Sequence, residues 1–301
     1  MKMFRLLIPL GTALALSALA LSGTGASAAV GRSAGPTVPT TPTLVGIRAA
    51  HHSTFDRVVF VFSGGLPNSR RVGYVDKLIG DASGKRVRIA GRAILQVRLS
   101  RATASDSSGP TAPARVAFAL PNVMTAVQSG DFEAVTTYGI GLAKRTAFTV
   151  STLTGPPRVV VDIHAAFPTV LKRVWFVNRT NVVNNQRPFV SSVLRPVRIH
   201  HRAVGVMDRL FAGTLTSEHA AGLSLVRSKA TGFTNLSISG GIARVQLTGG
   251  CDRGSSRVSI ANEIKPTLRQ LSSVDFVKIY GPGGTTQHPN GARDSIPACL
   301  A

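Results

Sequence analysis

Apolar and polar residues alternate with a period of two through much of the first half of this chain. Arg57 to Phe62 (RVVFVF) is β-branched and aromatic, and Leu44 to Ile47 precedes it with a similar texture. Ala93 to Leu99 alternates apolar with polar or basic residues, as a strand with one buried face does, and Arg86 to Ile89 reads the same way. Phe132 to Gly141 and Phe148 to Leu153 add two more strands. Arg158 to Ile163 (RVVVDI) supplies the last, after the Pro156-Pro157 turn. Ser100 to Ala114 is rich in Ser, Thr, Ala and Pro and reads as a long exposed loop. About seven short strands with almost no helical period predict a β-sandwich.

Beyond His164 the pattern changes. Val174 to Asn178 (VWFVN) and Val197 to His201 read as strands around a polar loop. Within Val204 to Leu215, the residues Val206, Leu210, Phe211 and Leu215 recur near a 3.6 period. Ile260, Ile264, Leu268 and Leu271 share one stripe, so Ile260 to Leu271 is an amphipathic helix despite Pro266. Leu236 to Ser239 and Ile242 to Leu247 flank Gly240-Gly241, a hairpin signal, and Phe276 to Tyr280 closes the series as a strand. The prediction is an α+β protein: a sandwich over 44–164 and an α+β domain over 173–301, with the boundary between His164 and Arg173. At ~150 residues per domain, a length of 301 agrees with two.

The first residues stand outside this pattern. A short cationic start, Met1 to Arg5, leads into an apolar stretch from Leu6 to Leu21, and Ala26-Ser27-Ala28 offers a small-x-small cleavage site. Residues 1–28 therefore read as an export signal cut after Ala28. The alternative is an uncleaved anchor, since about 18 apolar residues just span a bilayer. Residues 29–43, rich in Pro, Thr and Gly, read as an extended linker. Export places the chain outside the cytoplasm or at the cell wall.

Charge then narrows the partners. The formal balance is +22, and Lys2 and Arg5 are its only contributors within the signal. From Val30 to His164 there are 16 bases and 7 acids, and from Ala165 onward 17 and 6, so neither half is merely a basic tail. Such a field attracts polyanions. For an exported chain these are wall polymers and lipid headgroups rather than nucleic acid. Of the 35 bases 27 are Arg, which base composition of the coding sequence and solubility also explain. Cys251 and Cys299 are the only cysteines. In an oxidising compartment they predict a structural disulfide worth about 3–4 kcal/mol in the loop-entropy picture.

Two stretches resemble known families. Phe55-Asp-Arg-Val-Val-Phe60, Gly73-Tyr-Val75, Asp131-Phe-Glu133, Tyr138-Gly-Ile-Gly141 and above all Leu153-Thr-Gly-Pro-Pro-Arg-Val-Val-Val-Asp162 resemble the AMIN and AMIN-like modules of bacterial envelope proteins. That resemblance implies a β-sandwich that targets proteins to the envelope, in some relatives by binding peptidoglycan. Val174-Trp-Phe-Val177, Arg195-Pro-Val-Arg198, the helix end Leu210-Phe-Ala-Gly-Thr214, Leu236 to Leu247 and Ile264 to Val277 resemble the GerMN domain of spore-germination and sporulation proteins and of actinobacterial lipoproteins. Thr248-Gly-Gly-Cys-Asp252 departs from that pattern, as does the second cysteine in the tail.

Catalytic signatures are absent from the sequence. There is no H-E-x-x-H and no phosphate-binding G-x-x-x-x-G-K-[ST] loop, and the G-x-S-x-G string Gly31 to Gly35 lies in the Pro/Thr/Gly linker rather than at a strand-to-helix turn. The pairs His51-His52 and His200-His201 would point to opposite faces of a strand and so do not chelate together. Tyr138-Gly-Ile-Gly141 lacks the third glycine of a dinucleotide turn and reads as a bulge or a tight approach. No catalytic residue, metal ligand or cofactor is nominated. The candidate ligand-binding residues are basic: Arg86 and Arg88 on one face of their strand, Arg98 and Arg101 nearby, and Arg198 and Arg202 flanking His200. Guanidinium forks suit the carboxylates of peptidoglycan peptides and the phosphates of anionic wall polymers. The expected function is non-catalytic binding at the cell envelope. Alternatives are a self-assembling or partner-binding scaffold, or an accessory factor for a wall hydrolase.

Overall fold

Alternation in the first half resolves into two sheets facing one core. The computed structural model describes residues 41–301, so the predicted export signal and residues 29–40 of the linker lie outside the described residues. One sheet orders its strands Thr43–His52, Phe55–Ser63, Pro157–His164 and Phe148–Thr154, antiparallel throughout. The other runs Ser69–Val75, Ala93–Ser100, Val135–Leu142, Val123–Phe132 and Arg115–Ala117. Val58, Phe60 and Phe62 from the first sheet, with Val159, Val161 and Ile163 beside them, meet Leu95, Val97 and Leu99 and Tyr138, Ile140 and Leu142 from the second. Along the central strands every second residue enters this core, as the period-two pattern requires.

The second half builds its own core from strands and helices. Thr169–Asn178 pairs with Val190–Arg198 and with Leu223–Ser224. The hairpin Ala230–Ser239 and Ile242–Gly249 turns at Gly240 and Gly241, both at positive φ (56° and 73°) as a tight two-residue turn demands. Phe276–Tyr280 adds a parallel strand to it. Helices Arg202–Ala212 and Ile260–Arg269 cover these sheets and bury Val206, Leu210, Phe211, Ile264 and Leu268 against Val174, Phe176, Val245 and Val277. Ser259 opens the second helix, and the Asn262 side chain accepts the Ser259 backbone N–H at 2.8 Å. Cys251 and Cys299 are bridged, with Cα atoms 5.7 Å apart, so the last turn is tied to the hairpin end. The described residues are mostly strand with few helices, and no described helix is long and apolar enough to cross a membrane.

Inside this second core sits a carboxylate. Glu263 accepts the backbone N–H groups of Val177 (3.1 Å) and Val226 (3.2 Å), and burial pushes its pKa well above the usual 4.5. The folded protein therefore keeps a proton that the unfolded chain releases. Stability is greatest below the unfolded pKa and falls as pH rises toward the folded one. Glu263→Gln is expected to flatten that fall, seen as urea midpoints that vary less between about pH 4 and pH 8 than in the parent.

Four expectations change. Arg86 to Ile89 is not a full strand: only Arg86–Val87 pairs, with Leu78–Ile79, and Arg88 and Ile89 continue as a loop. Ser100 to Ala114 is not an exposed loop. Ala102, Ala104 and Ala112 are buried in the sandwich core, and Asp131 holds the segment by accepting Ala104 N–H (2.9 Å) and Ser105 Oγ–H (2.7 Å). Alanine fills narrow ends of a core without making a readable period. The strand Val123–Phe132 (VMTAVQSGDF) was not expected, because it is enclosed on both faces at its start and so does not alternate. The strand expected over Val197 to His201 ends at Arg198; His201 becomes the residue before a helix that Arg202 opens. Its carbonyl accepts the Gly205 N–H at 2.8 Å, the first helical bond, which an extended chain could not make.

Candidate functional site

Each half of the molecule places an arginine in the other. Arg92, at the edge of the sandwich, forms a two-pronged pair with Asp208 of the Arg202–Ala212 helix, Nε–Oδ2 at 2.8 Å and Nη2–Oδ1 at 2.6 Å. Its guanidinium also lies 5.2 Å from the ring centroid of Phe233. Burial raises the Asp208 pKa against the pull of Arg92 and Arg209, while the Asp208 hydrogen bond raises that of Arg92. In return Arg209, 1% exposed, reaches into the sandwich and donates to the carbonyls of Phe118, Leu120, Pro121 and Val123. Met124, Ala143 and Ala212 close the seam between the two cores.

Glycines in one strand place the loop that carries Arg92. A Cβ on Gly139 would come within 2.7 Å of Leu78, and one on Gly141 within 2.1 Å of the Ala90 carbonyl oxygen. The Tyr138-Gly-Ile-Gly141 motif is thus a tight approach, which lets the segment from Leu78 to Arg92 lie across the outer face of the sheet. Gly91, at φ 121°, continues it: a Cβ there would sit 2.6 Å from the Leu142 carbonyl oxygen, and Arg92 N–H donates to that oxygen at 2.7 Å.

The segment walls two neighbouring cavities. One, of about 310 Å³, is lined by Arg86, Arg88, Arg92 and Asp208 with Phe233 and Thr234 from the hairpin. The next, of about 340 Å³, is lined by Arg86, Arg92, Arg145, Tyr74 and Asp76. Arg145 lies over Tyr74, 4.5 Å from the ring centroid, and the Tyr74 hydroxyl donates to the Thr146 carbonyl at 2.6 Å, so that ring is held in place. Arg92 is neutralised by Asp208. Arg86, Arg88 and Arg145 have no carboxylate within ion-pair distance among the described residues. Three guanidiniums without acidic partners give this groove a positive field, which favours anions over cations.

Sequence reasoning found part of this groove. Arg86 and Arg88 share a cavity wall, although the strand that was to align them is only two residues long. Arg98 faces elsewhere, 3.6 Å from Asp81, and Arg101 is exposed in a turn at φ 52°. Arg198 lines a different, about 250 Å³ cavity behind Asp208 and Arg209. Arg202 is exposed at its helix start, so Arg198, His200 and Arg202 do not share a strand face; the chain turns between them. Arg92 and Arg145 were missed. For Arg92 a signal existed: it follows a glycine that a neighbouring strand can accept only without a side chain.

Among the described residues no three His, Cys, Asp or Glu side chains converge as a metal site. His51 Nδ1 donates to Asp56 at 2.7 Å, but Asp56 is occupied with backbone N–H groups and orients nothing else. Residues 42–165 match the family model of the AMIN-like domain. This AMIN-like domain spans the whole sandwich and contributes Arg86, Arg88, Arg92 and Arg145 to the groove, while Asp208, Phe233 and Thr234 lie beyond it. AMIN-like domains are generally associated with the cell envelope and with peptidoglycan binding. No curated protein and no solved structure matches the chain.

Proposed function

We propose that this chain is a non-catalytic, exported envelope protein that holds peptidoglycan or an anionic wall polymer in the arginine groove of its AMIN-like domain. The observation that carries the reading is the convergence of Arg86, Arg88 and Arg145 on two adjoining cavities, with Arg92 and its partner Asp208 between them. The export signal read in residues 1–28 supplies the compartment, and the GerMN resemblance of residues 173–301 supplies a rigid neighbour that forms the groove's other wall.

Co-sedimentation with purified sacculi tests this. The mature chain should be retained at low salt and released progressively as the ionic strength rises. Removing three exposed charges worth roughly 0.5 kcal/mol each, in the Arg86→Gln/Arg88→Gln/Arg145→Gln variant, should weaken retention about tenfold. Absence of retention at low salt, or retention that the triple variant leaves intact, overturns the reading. A clearing band from the pure protein on a peptidoglycan zymogram overturns its non-catalytic part.

A further inference from the structure

A further cavity, of about 370 Å³, is walled by both halves of the molecule. Arg115 reaches it from the edge strand Arg115–Ala117 of the sandwich, and Arg227 from the segment after Leu223–Ser224. Around them stand the hydroxyls of Thr214, Thr216 and Ser224 and the imidazole of His219. No acidic residue lines it.

We propose that this cavity is a phosphoryl-binding site, separate from the arginine groove, in which Arg115 and Arg227 grip one phosphate group from opposite sides. Both arginines line one cavity, and each guanidinium makes a single hydrogen bond, to a backbone carbonyl. Arg115 Nη2 donates to the Arg88 carbonyl at 2.6 Å, and Arg227 Nη2 to the Phe211 carbonyl at 3.1 Å. Most of their donors stay uncommitted. Neither has a carboxylate within ion-pair distance among the described residues. Desolvation, and after it the charge of Arg227, push the Arg115 pKa down to about 10, so the two guanidiniums lie close enough to feel one another. The acid nearest in effect to Arg227 is Glu263, whose oxygens face the N–H groups of Val177 and Val226 and which burial holds toward its neutral form. It does not cancel the pair.

The donor set selects the ligand class. A carboxylate presents its two oxygens in one plane, where a single guanidinium fork engages both. A phosphate monoester presents three free oxygens around a tetrahedral centre and inorganic phosphate four, so forks from two directions and hydroxyls can donate to it at once. Arg115 and Arg227 come from different halves, so such a ligand also bridges the seam and should stabilise the folded chain by linkage.

The mature chain, titrated with inorganic phosphate at constant ionic strength, should show a saturable rise in its thermal midpoint. Methyl phosphate should reproduce it and acetate should not. Arg227→Gln and Arg115→Gln should each weaken phosphate binding by about tenfold or more, while Arg71→Gln, on the exposed strand Ser69–Val75, should leave it unchanged. Should Arg227→Gln fail to fold, Arg115→Gln on the exposed edge still decides the question. A response no larger than that of sodium chloride, an equal response to acetate, or full binding in both variants overturns the proposal. Sacculus retention by the same proteins is scored separately, so failure here leaves the groove standing and failure of the groove leaves this site standing.

Discussion

Arg209→Met is expected to lower stability by about 3–5 kcal/mol and to split thermal unfolding into two transitions. Four carbonyls of the sandwich, from Phe118, Leu120, Pro121 and Val123, accept from this one guanidinium. Replacing a buried ion with an apolar side chain can be neutral when its partners are replaced too. These partners are backbone and cannot be. Methionine would restore the packing of the stem and leave the carbonyl groups stripped of donors in a dry place, and an unmade buried hydrogen bond costs about 1–3 kcal/mol. Asp208, adjacent in the helix and buried, would also lose a neighbouring cation that lowers its pKa. The guanidinium already works under strain, with its Nε buried and unpartnered, and burial holds its pKa below the usual arginine value. Arg209→Lys should recover only part of the loss, because an ammonium has three donors and no planar fork. Calorimetry reads both effects. A single transition with an unchanged midpoint would show that Arg209 does not hold the halves together.

How much of this was legible in the sequence follows from what periodicity can encode. Strands that bury one face announced themselves: Val58, Phe60 and Phe62, and Val159, Val161 and Ile163, point inward as their spacing predicts. The helix stripe Ile260, Ile264, Leu268 and Leu271 is buried to the last residue, although the helix itself stops at Arg269. Where both faces are covered the signal vanishes, as in Val123–Phe132. Where small residues do the filling, as at Ala102, Ala104 and Ala112, composition is mistaken for a loop. The disulfide was legible because two cysteines allow one pairing. The groove was legible only as an excess of arginine. Which guanidiniums meet depends on Gly139, Gly141 and Gly91 admitting a loop across a sheet, and on Asp208 and Phe233 arriving from more than 110 residues away. No local pattern carries such information.

The seam also decides what kind of molecule this is. Arginines serve it in two opposed ways. Arg92 and Arg209 are spent on the protein itself, one on a carboxylate and one on carbonyls, and they hold the two halves in register. Arg86, Arg88, Arg115 and Arg227 line the same seam without acidic partners, with Arg145 in the adjoining cavity, so the architecture keeps like charges close together at a cost in self-repulsion. A bound anion relieves that cost. On the proposed reading, latch and ligand sites are two uses of one junction, and loosening the latch should weaken binding even where no ligand-facing residue is touched.

A buried carboxylate does for the sandwich what Arg209 does for the seam. Asp56, fully buried on the strand Phe55–Ser63, accepts the backbone N–H groups of Asn122 (2.6 Å) and Val123 (2.8 Å) through Oδ2 and the His51 Nδ1–H (2.7 Å) through Oδ1. It thereby pins the turn that enters Val123–Phe132 in one sheet to an edge hairpin of the other. Asn122 is fully buried as well, and its side chain continues the network, donating to the His164 carbonyl and accepting the Lys144 N–H. Asp56→Ala would orphan two N–H groups that no water can reach without opening the core. The expected loss is about 3–5 kcal/mol, measured as a fall in the urea midpoint. Asp56→Asn keeps the size and one acceptor oxygen, so it should lose less, about half as much on the usual twofold advantage of charge-assisted bonds. His51→Ala, removing only the exposed partner, should cost least of the three. Equal losses for Asp56→Ala and His51→Ala would mean that the imidazole, and not the backbone turn, is what the carboxylate is there to hold.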